Sequence, residues 1–557
     1  ATHQDIARGR YTKLERQVNE ISVQELEKLS PFELKDLLIK AAKKSADKSA
    51  SMMLNAGRGN PNWIATTPRE AFFLLGQFAL EEARLDRDEP GVGLAGMPQA
   101  DGIAGRFESF LAKHSGEPGA GLLRGVLDLG VKKLGFDPDA FVHELADSMI
   151  GDNYPVPDRI LVHTERVIQE YLAKEMCDSK PPAGTQDIFA VEGGTAAMCY
   201  VFDTLKANRL LQPGDKIAIG VPVFTPYIEM PGLEDYQLEM VEVVQDALAE
   251  DGTHSWQYSE EQIRKLEDPA VKAFFVVNPA NPPSMAIRQE TIDQIVKIVE
   301  TKRPDLMILT DDVYGTFVPG FRSLAADLPR NTILVYSFSK HFGCTGWRLG
   351  VIGVHQDNVF DELIAKLPAA TKSTLITRYG SLTTEPEKMK FIDRMVAESR
   401  RIALNHTAGL SLPQQMQMML FSAFALLDKG DAYKKRCRAI VQERLARLYK
   451  GLGIPLPDDP DCAGYYRELD LENWAARVVG QDFVDYVNGH SNPYNLFFRL
   501  AEEYQTVLLN GSGFDGPPWS VRVSLANLDD DAYEQIGKDL SEICHKAAEA
   551  WIGSQRT

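Results

Sequence analysis

The sequence predicts an α/β protein built around a mostly parallel sheet with helices on both faces. Between about residues 186 and 355, short apolar runs alternate with helix-like stretches: Asp187-Ile188-Phe189-Ala190-Val191, Lys216-Ile217-Ala218-Ile219-Gly220, Ala273-Phe274-Phe275-Val276-Val277, Leu306-Met307-Ile308-Leu309-Thr310 and Thr332-Ile333-Leu334-Val335-Tyr336. Runs that are apolar throughout, rather than at alternate positions, imply strands buried on both faces, as parallel strands joined by crossover helices are. At 557 residues, 44% of them hydrophobic, the chain is too long for one core and has the apolar content for further lobes.

Residues 23 to 48 read as helix, with Leu26, Leu29, Leu34, Leu37 and Leu38 on one recurring face and Ser30-Pro31 as a break or new start. The extended, Gly-rich segment from Met52 to Trp63 suits a binding strand and loop. Residues from about 70 to 185 read as mostly helical, broken by Gly91-Val92-Gly93 and Gly116-Glu117-Pro118-Gly119. After about residue 410 long helices return, followed by the strand candidate from Ser520 to Leu525 and a last helix from about Asp530. These transitions divide the chain into an arm with part of a small domain (1–63), a mainly helical region (64–185), a large domain (186–400) and a C-terminal small domain (401–557).

A net charge of −19 argues against a nucleic-acid or anionic-membrane partner, because such surfaces need clustered Lys and Arg to replace counterions. No apolar run approaches the roughly 18 to 20 residues that span a bilayer, and the segment from Ala1 to Asp5 does not read as a secretory signal. The six cysteines lack C-x-x-C spacing, which disfavours zinc and a disulfide framework, so a reducing cytoplasm is the expected setting.

Ser337-Phe338-Ser339-Lys340-His341-Phe342-Gly343-Cys344-Thr345-Gly346-Trp347-Arg348 places a Ser three residues before a Lys and an Arg eight after it. A lysine amine condenses with an aldehyde, while hydroxyl, guanidinium and backbone N–H groups neutralise a phosphate. Ser-x-x-Lys also serves serine acylases, and a polar turn between a strand and a helix is the bland alternative. Other strand ends add to it. Glu192-Gly193-Gly194-Thr195 is a glycine turn opening a helix, suited to an anion; Asn278-Pro279-Ala280-Asn281 offers amides; Asp311-Asp312-Val313-Tyr314 offers carboxylates and a phenol. A carboxylate facing a pyridine nitrogen keeps it protonated, and Asn and Tyr can hold a ring hydroxyl. One of the paired Asp residues would equally serve as a helix cap. A metal is disfavoured, since no His or third carboxylate is near in sequence.

In order and separation these segments resemble the pyridoxal-phosphate enzymes of the aspartate aminotransferase superfamily. The resemblance is firm over about 190 to 350 and looser over 50 to 63 and 515 to 528. It implies the fold type I architecture: a seven-stranded-type sheet sandwiched by helices, a smaller α+β domain from both termini, and here extra helical insertions. It makes Lys340 the lysine that joins pyridoxal 5′-phosphate, Asp311 the partner of the ring nitrogen, and Tyr314 and Asn281 the ligands of the ring hydroxyl. Ser337, Arg348, Gly194 and Thr195 become the phosphate site, and Phe224 the aromatic stacked on the ring. Arg522 resembles the arginine that takes the substrate α-carboxylate, with Gly59 assisting, and Tyr154 the tyrosine that reaches a partner subunit's phosphate.

Well over a hundred residues beyond a typical member, with Asn55 to Trp63 and Ser337 to Gly350 as written, make the chain look like the L-aspartate 4-decarboxylases. That resemblance implies conversion of aspartate to alanine and CO2 with slow amino-group transfer. Arg58 and Arg378 are then candidates near the distal carboxylate, although a structural or solvated arginine is the plainer reading of each. It also implies a homodimer at least, with surplus helices for a larger homo-oligomer.

Overall fold

The computed structural model describes residues 23–46, 53–400 and 407–555. The terminal segment read for a signal, positions 47–48 of the first expected helix and Met52 lie outside these residues.

Helix α1, Pro31–Ala46, starts at the expected Ser30-Pro31 break, and Leu34 and Leu38 are buried on its inner face. The segment Leu54–Asn55 pairs in parallel with Thr506–Val507 near the other end of the chain. Five helices follow: α2 Thr67–Asp86, α3 Ile103–Lys113, α4 Ala120–Asp128, α5 Pro138–Ile150 and α6 Val162–Met176. Local chemistry sets their ends. Asp137 accepts from Ala140 N at 2.8 Å to cap α5, Pro138 occupies the first turn, and Gly151 closes the helix in the left-handed region.

The large lobe holds β1 Gln186–Val191, helix α7 Gly194–Ala207, and then β2 Lys216–Val221, β3 Glu239–Val244, β4 Val271–Val277, β5 Met307–Asp311, β6 Thr332–Ser337 and β7 Gly350–His355. They form one seven-stranded sheet in the order β1-β7-β6-β5-β4-β2-β3. All run the same way except β7, which is antiparallel to both of its neighbours. Phe189 and Val191 enter one apolar cluster and Ile188 and Ala190 another, so β1 is buried on both faces as its composition requires.

Two strands of this sheet escape the sequence reading. Strand β3 is an edge strand with exposed Glu239 and Glu242, so it lacks a continuous apolar run. Strand β7 is interrupted by glycines that its packing demands: a Cβ on Gly350 would lie 2.7 Å from Gly193 Cα, and one on Gly353 would lie 2.6 Å from Gln186 Nε2.

Helix α8, Leu412–Leu427, is apolar on most sides and closes the helical region, where Met416 and Leu420 join Phe78, Phe107 and Phe141 in one core. Then come α9 Ala432–Leu452, β8 Tyr466–Asp470, β9 Leu509–Asn510, β10 Ser520–Ser524 and α10 Asp530–Gln555. Strands β8, β10 and β9 form an antiparallel sheet in that order. Leu34 and Leu38 from the start of the chain share a core with Leu448, Tyr533 and Ile536 near its end, so both termini build the small α+β lobe.

Candidate active site

A single cleft lies at the carboxyl ends of the parallel strands, where the sheet meets the small lobe. Each strand delivers its residue because the chain must turn there. After β1, Gly193 adopts φ 87° and opens α7, so Gly194 and Thr195 present the unpaired N–H groups of a helix start. A Cβ on Gly193 would come within 2.5 Å of an Arg348 guanidinium nitrogen, so the glycine is what lets Arg348 close on this turn. Arg348 is held by Thr345 O at 2.9 Å and Glu192 O at 3.2 Å. After β6, Ser337 Oγ donates to Ser339 Oγ at 2.9 Å, and both serines line the cleft.

Asp311 ends β5, buried, with Tyr227 Oη donating to its Oδ2 at 2.7 Å and Val313 N to its Oδ1 at 3.3 Å. Burial lifts its pKa from 3.8 to about 6, partly offset by those hydrogen bonds and the Lys340 charge. The adjacent Asp312 does not line the cleft; it interacts with Thr310 and Ser323, and burial lifts it to about 7. Phe224 follows β2 and meets Tyr227 and Phe32 edge-on.

The small lobe contributes Arg522 from β10 and Tyr466 from β8. Arg522 is fully buried; it donates to Asn281 Oδ1 at 3.2 Å and Gly57 O at 3.0 Å, while its Nε has no partner among the described residues. The 53–63 segment joins the two lobes. Asn62 N donates to Ala526 O at 2.8 Å and Trp63 Nε1 to His341 O at 3.3 Å, which sets Gly59 O 3.0 Å from Lys340 Nζ.

The structure thus brings Gly59, Gly194, Thr195, Phe224, Asn281, Asp311, Tyr314, Ser337, Lys340, Arg348 and Arg522 around one space. Three anticipated residues lie elsewhere. Arg58 is exposed and does not line the cleft, although its neighbour Gly59 does. Arg378 is outside the cleft, its guanidinium held by Glu398 at 2.7 and 2.5 Å. Tyr154 is 61% exposed in the loop after α5. Sequence reading left out Tyr227 and Tyr466 among the residues that line the cleft. Tyr227 lies in the first turn of the helix Thr225–Gly232 that Phe224 precedes, within the aromatic segment already singled out for Phe224; Tyr466 carries no motif.

A family model for aminotransferase class I and II matches residues 185–539. The chain belongs to that family. It is 49% identical over 526 residues to a bifunctional aspartate aminotransferase and L-aspartate beta-decarboxylase of a Pseudomonas species, a match covering 94% of this chain and 98% of that protein. An aspartate aminotransferase of Pinus pinaster is 28% identical over 74% of this chain and 72% of its own. Solved structures agree on the fold. An aromatic aminotransferase of Pyrococcus horikoshii OT3 aligns with TM-score 0.54 at 16% identity over 91% of this chain and 99% of its own, and a Thermus thermophilus aspartate aminotransferase mutant with 0.53 at 16% over 89% and 98%.

The family's cofactor is pyridoxal 5′-phosphate, and the cleft fits it. Gly193 leaves room for Arg348 beside a helix start that suits a phosphate, Asp311 is a buried carboxylate with no cation bonded to it among the described residues, as a protonated ring nitrogen requires, and Lys340 supplies an amine in the same cleft.

Proposed function

We propose that this chain catalyses pyridoxal-phosphate-dependent β-decarboxylation of L-aspartate to L-alanine and CO2, with aspartate amino-group transfer as a second activity. One observation carries the reading: the 49% identity to the bifunctional enzyme runs through 94% of this chain, including helices that lie outside the class I and II match. The converging lysine, carboxylate, anion-binding turn and buried arginine support it.

Pyridoxal phosphate, when bound, supplies a conjugated ring that takes up the electron pair left as bonds at the substrate carbons break. Lys340 would hold the cofactor through its amine, and the same amine is placed to carry the Cα proton. Asp311, oriented by Tyr227, would keep the ring nitrogen protonated; Tyr314 and Asn281 would hold the ring hydroxyl, and Phe224 would supply an apolar face for the ring. Gly194, Thr195, Ser337 and Arg348 take the phosphate. Arg522 grips the α-carboxylate with a pre-aligned planar fork, assisted by Gly59. The distal carboxylate is left loosely held, since a tight ion pair would stabilise the anion that has to leave. Arg58, on the loop carrying Gly59, is assigned to its approach, and Arg378, tied to Glu398, is left out of this reading.

The minimum unit in this reading is a homodimer in which Tyr154 serves the partner's phosphate site. Exposed Phe73 and Leu80 on α2 support a larger homo-oligomer. Six cysteines, none of them in a disulfide among the described residues, support a reducing, cytoplasmic setting. The large, helical and small domains are proposed at the boundaries read from the sequence, with α8 packing on the helical region.

Incubation of the holoenzyme with aspartate and no 2-oxo acid tests the activity. Sustained alanine and CO2 release is expected. A single turnover to oxaloacetate that stops for want of an acceptor would refute decarboxylation and leave a plain aspartate aminotransferase.

A further inference from the structure

Tyr466, the first residue of β8, stands where the two ends of a bound amino acid would meet. Its side chain is buried, and the Arg522 guanidinium carbon lies 4.4 Å from its ring centroid. This stacking ties the phenol to the arginine assigned to the α-carboxylate. A Cβ added to Gly59 would lie 2.7 Å from Tyr466 Oη and 3.1 Å from Lys340 Nζ. The hydroxyl and the amine therefore reach one carbon-sized position at the edge of the cleft.

The three phenols lining this cleft differ in what they do with their protons. Tyr227 donates to Asp311 at 2.7 Å and Tyr314 donates to Tyr466 at 3.1 Å. Tyr466 accepts, which leaves its own proton without an acceptor among the described residues. Burial raises its pKa, but the charges of Lys340 and Arg522 and the hydrogen bond from Tyr314 outweigh burial and bring it below the ordinary phenol value. Tyr314, by contrast, is held well above that value, chiefly by burial. A more acidic phenol is a better donor near neutral pH.

We infer that Tyr466 delivers the proton that replaces the departing carboxylate at the substrate Cβ. This rests on the decarboxylase reading. The bond between Cβ and the distal carboxylate carbon breaks; CO2 leaves, and the bonding pair stays with the substrate. The Tyr466 O–H bond then breaks as its proton bonds to Cβ, and the phenolate remains beside Arg522 and Lys340. Solvent returns one proton to the phenolate per turnover, matching the one proton consumed when aspartate becomes alanine and CO2. Lys340 stays free for the proton at Cα, so the two carbons are served by separate acids.

The test compares wild-type and Tyr466→Phe holoenzymes in two assays: alanine formation from aspartate alone, and oxaloacetate formation from aspartate with a 2-oxo acid acceptor. Loss of a general acid lowers alanine formation by about 10²- to 10⁴-fold. Oxaloacetate formation, which needs no proton at Cβ, falls by far less than alanine formation and reports intact folding and an intact Arg522 site. The alkaline fall of the alanine rate, present in wild type as Tyr466 deprotonates, is absent from the variant. In cofactor-free protein, ultraviolet titration of tyrosinate should show one tyrosine ionising below the ordinary phenol range in wild type and none in its place in Tyr466→Phe. Equal losses in both assays would overturn the proposal and leave Tyr466 as a residue that positions Arg522. An unchanged alanine rate would place the donor elsewhere. A wild type that forms oxaloacetate but never alanine would instead sink the decarboxylase reading itself.

Discussion

Replacing Glu468 with Gln should flatten the pH dependence of stability. Glu468 lies directly across from Arg522 in the β8–β10 pairing and is 1% exposed. Its Oε1 accepts from Ser520 Oγ at 2.8 Å, and its Oε2 has no partner among the described residues. Burial lifts its pKa from 4.5 to about 8; Ser520, Arg522 and Arg467 offset part of this, and Asp470 adds to it. Because the folded value is raised, the stabilisation is fully present below the unfolded value and is lost as pH rises through the folded one. Between 4.5 and about 8 the folded chain holds a proton that the unfolded chain has released, so stability falls with rising pH. At about 1.4 kcal/mol per unit, that window corresponds to ~4–5 kcal/mol. Glutamine keeps the shape and the Ser520 contact but carries no titrating proton. Urea midpoints measured at several pH values across the window should fall steeply for wild type and by ~4–5 kcal/mol less for the variant, other groups titrating alike in both. Parallel curves for the two proteins would show that Glu468 is ionised in the folded state and refute the reasoning.

Lys340→Ala should abolish the visible absorbance of the bound cofactor, and covalent fixation by borohydride in that variant would show that another amine holds it. Cofactor retention in wild type should weaken as pH falls through about 6, where the buried Asp311 carboxylate becomes neutral and no longer pairs with a protonated ring nitrogen; Asp311→Asn should retain cofactor poorly throughout, and equilibrium dialysis against pH reads both. Arg522→Lys exchanges a planar fork for a point charge, and the loss of a charged hydrogen bond, ~1.5–3 kcal/mol, predicts a fall in kcat/KM for aspartate of about ten- to a hundredfold. Arg378→Ala should leave both activities in place and lower the thermal midpoint, since the residue is bound to buried Glu398; a selective loss of aspartate binding would return it to the substrate site.

Legibility follows the range of the interactions that place each residue. Five of the seven large strands were readable because burial on both faces writes itself as a continuous apolar run, whereas β3 and β7 were hidden by edge exposure and by glycines that other strands require. Gly194, Asn281, Asp311, Ser337 and Lys340 were readable because each follows a recognisable strand or turn. Arg378 and Glu398 were not recognisable as a pair, because an ion pair between two helices leaves no spacing signal in the chain.

The sequence by itself determined the fold class, the order of the reactive groups and the pyridoxal-phosphate chemistry, since covalent order at strand ends and the residue types there are local properties. The tertiary structure alone decided that Tyr227 holds Asp311, that Tyr466 stands between Lys340 and Arg522, and that Glu468 is buried opposite Arg522. Those placements come from docking a lobe made of both chain ends onto the sheet, and contacts across such a junction are set by packing between segments far apart in sequence.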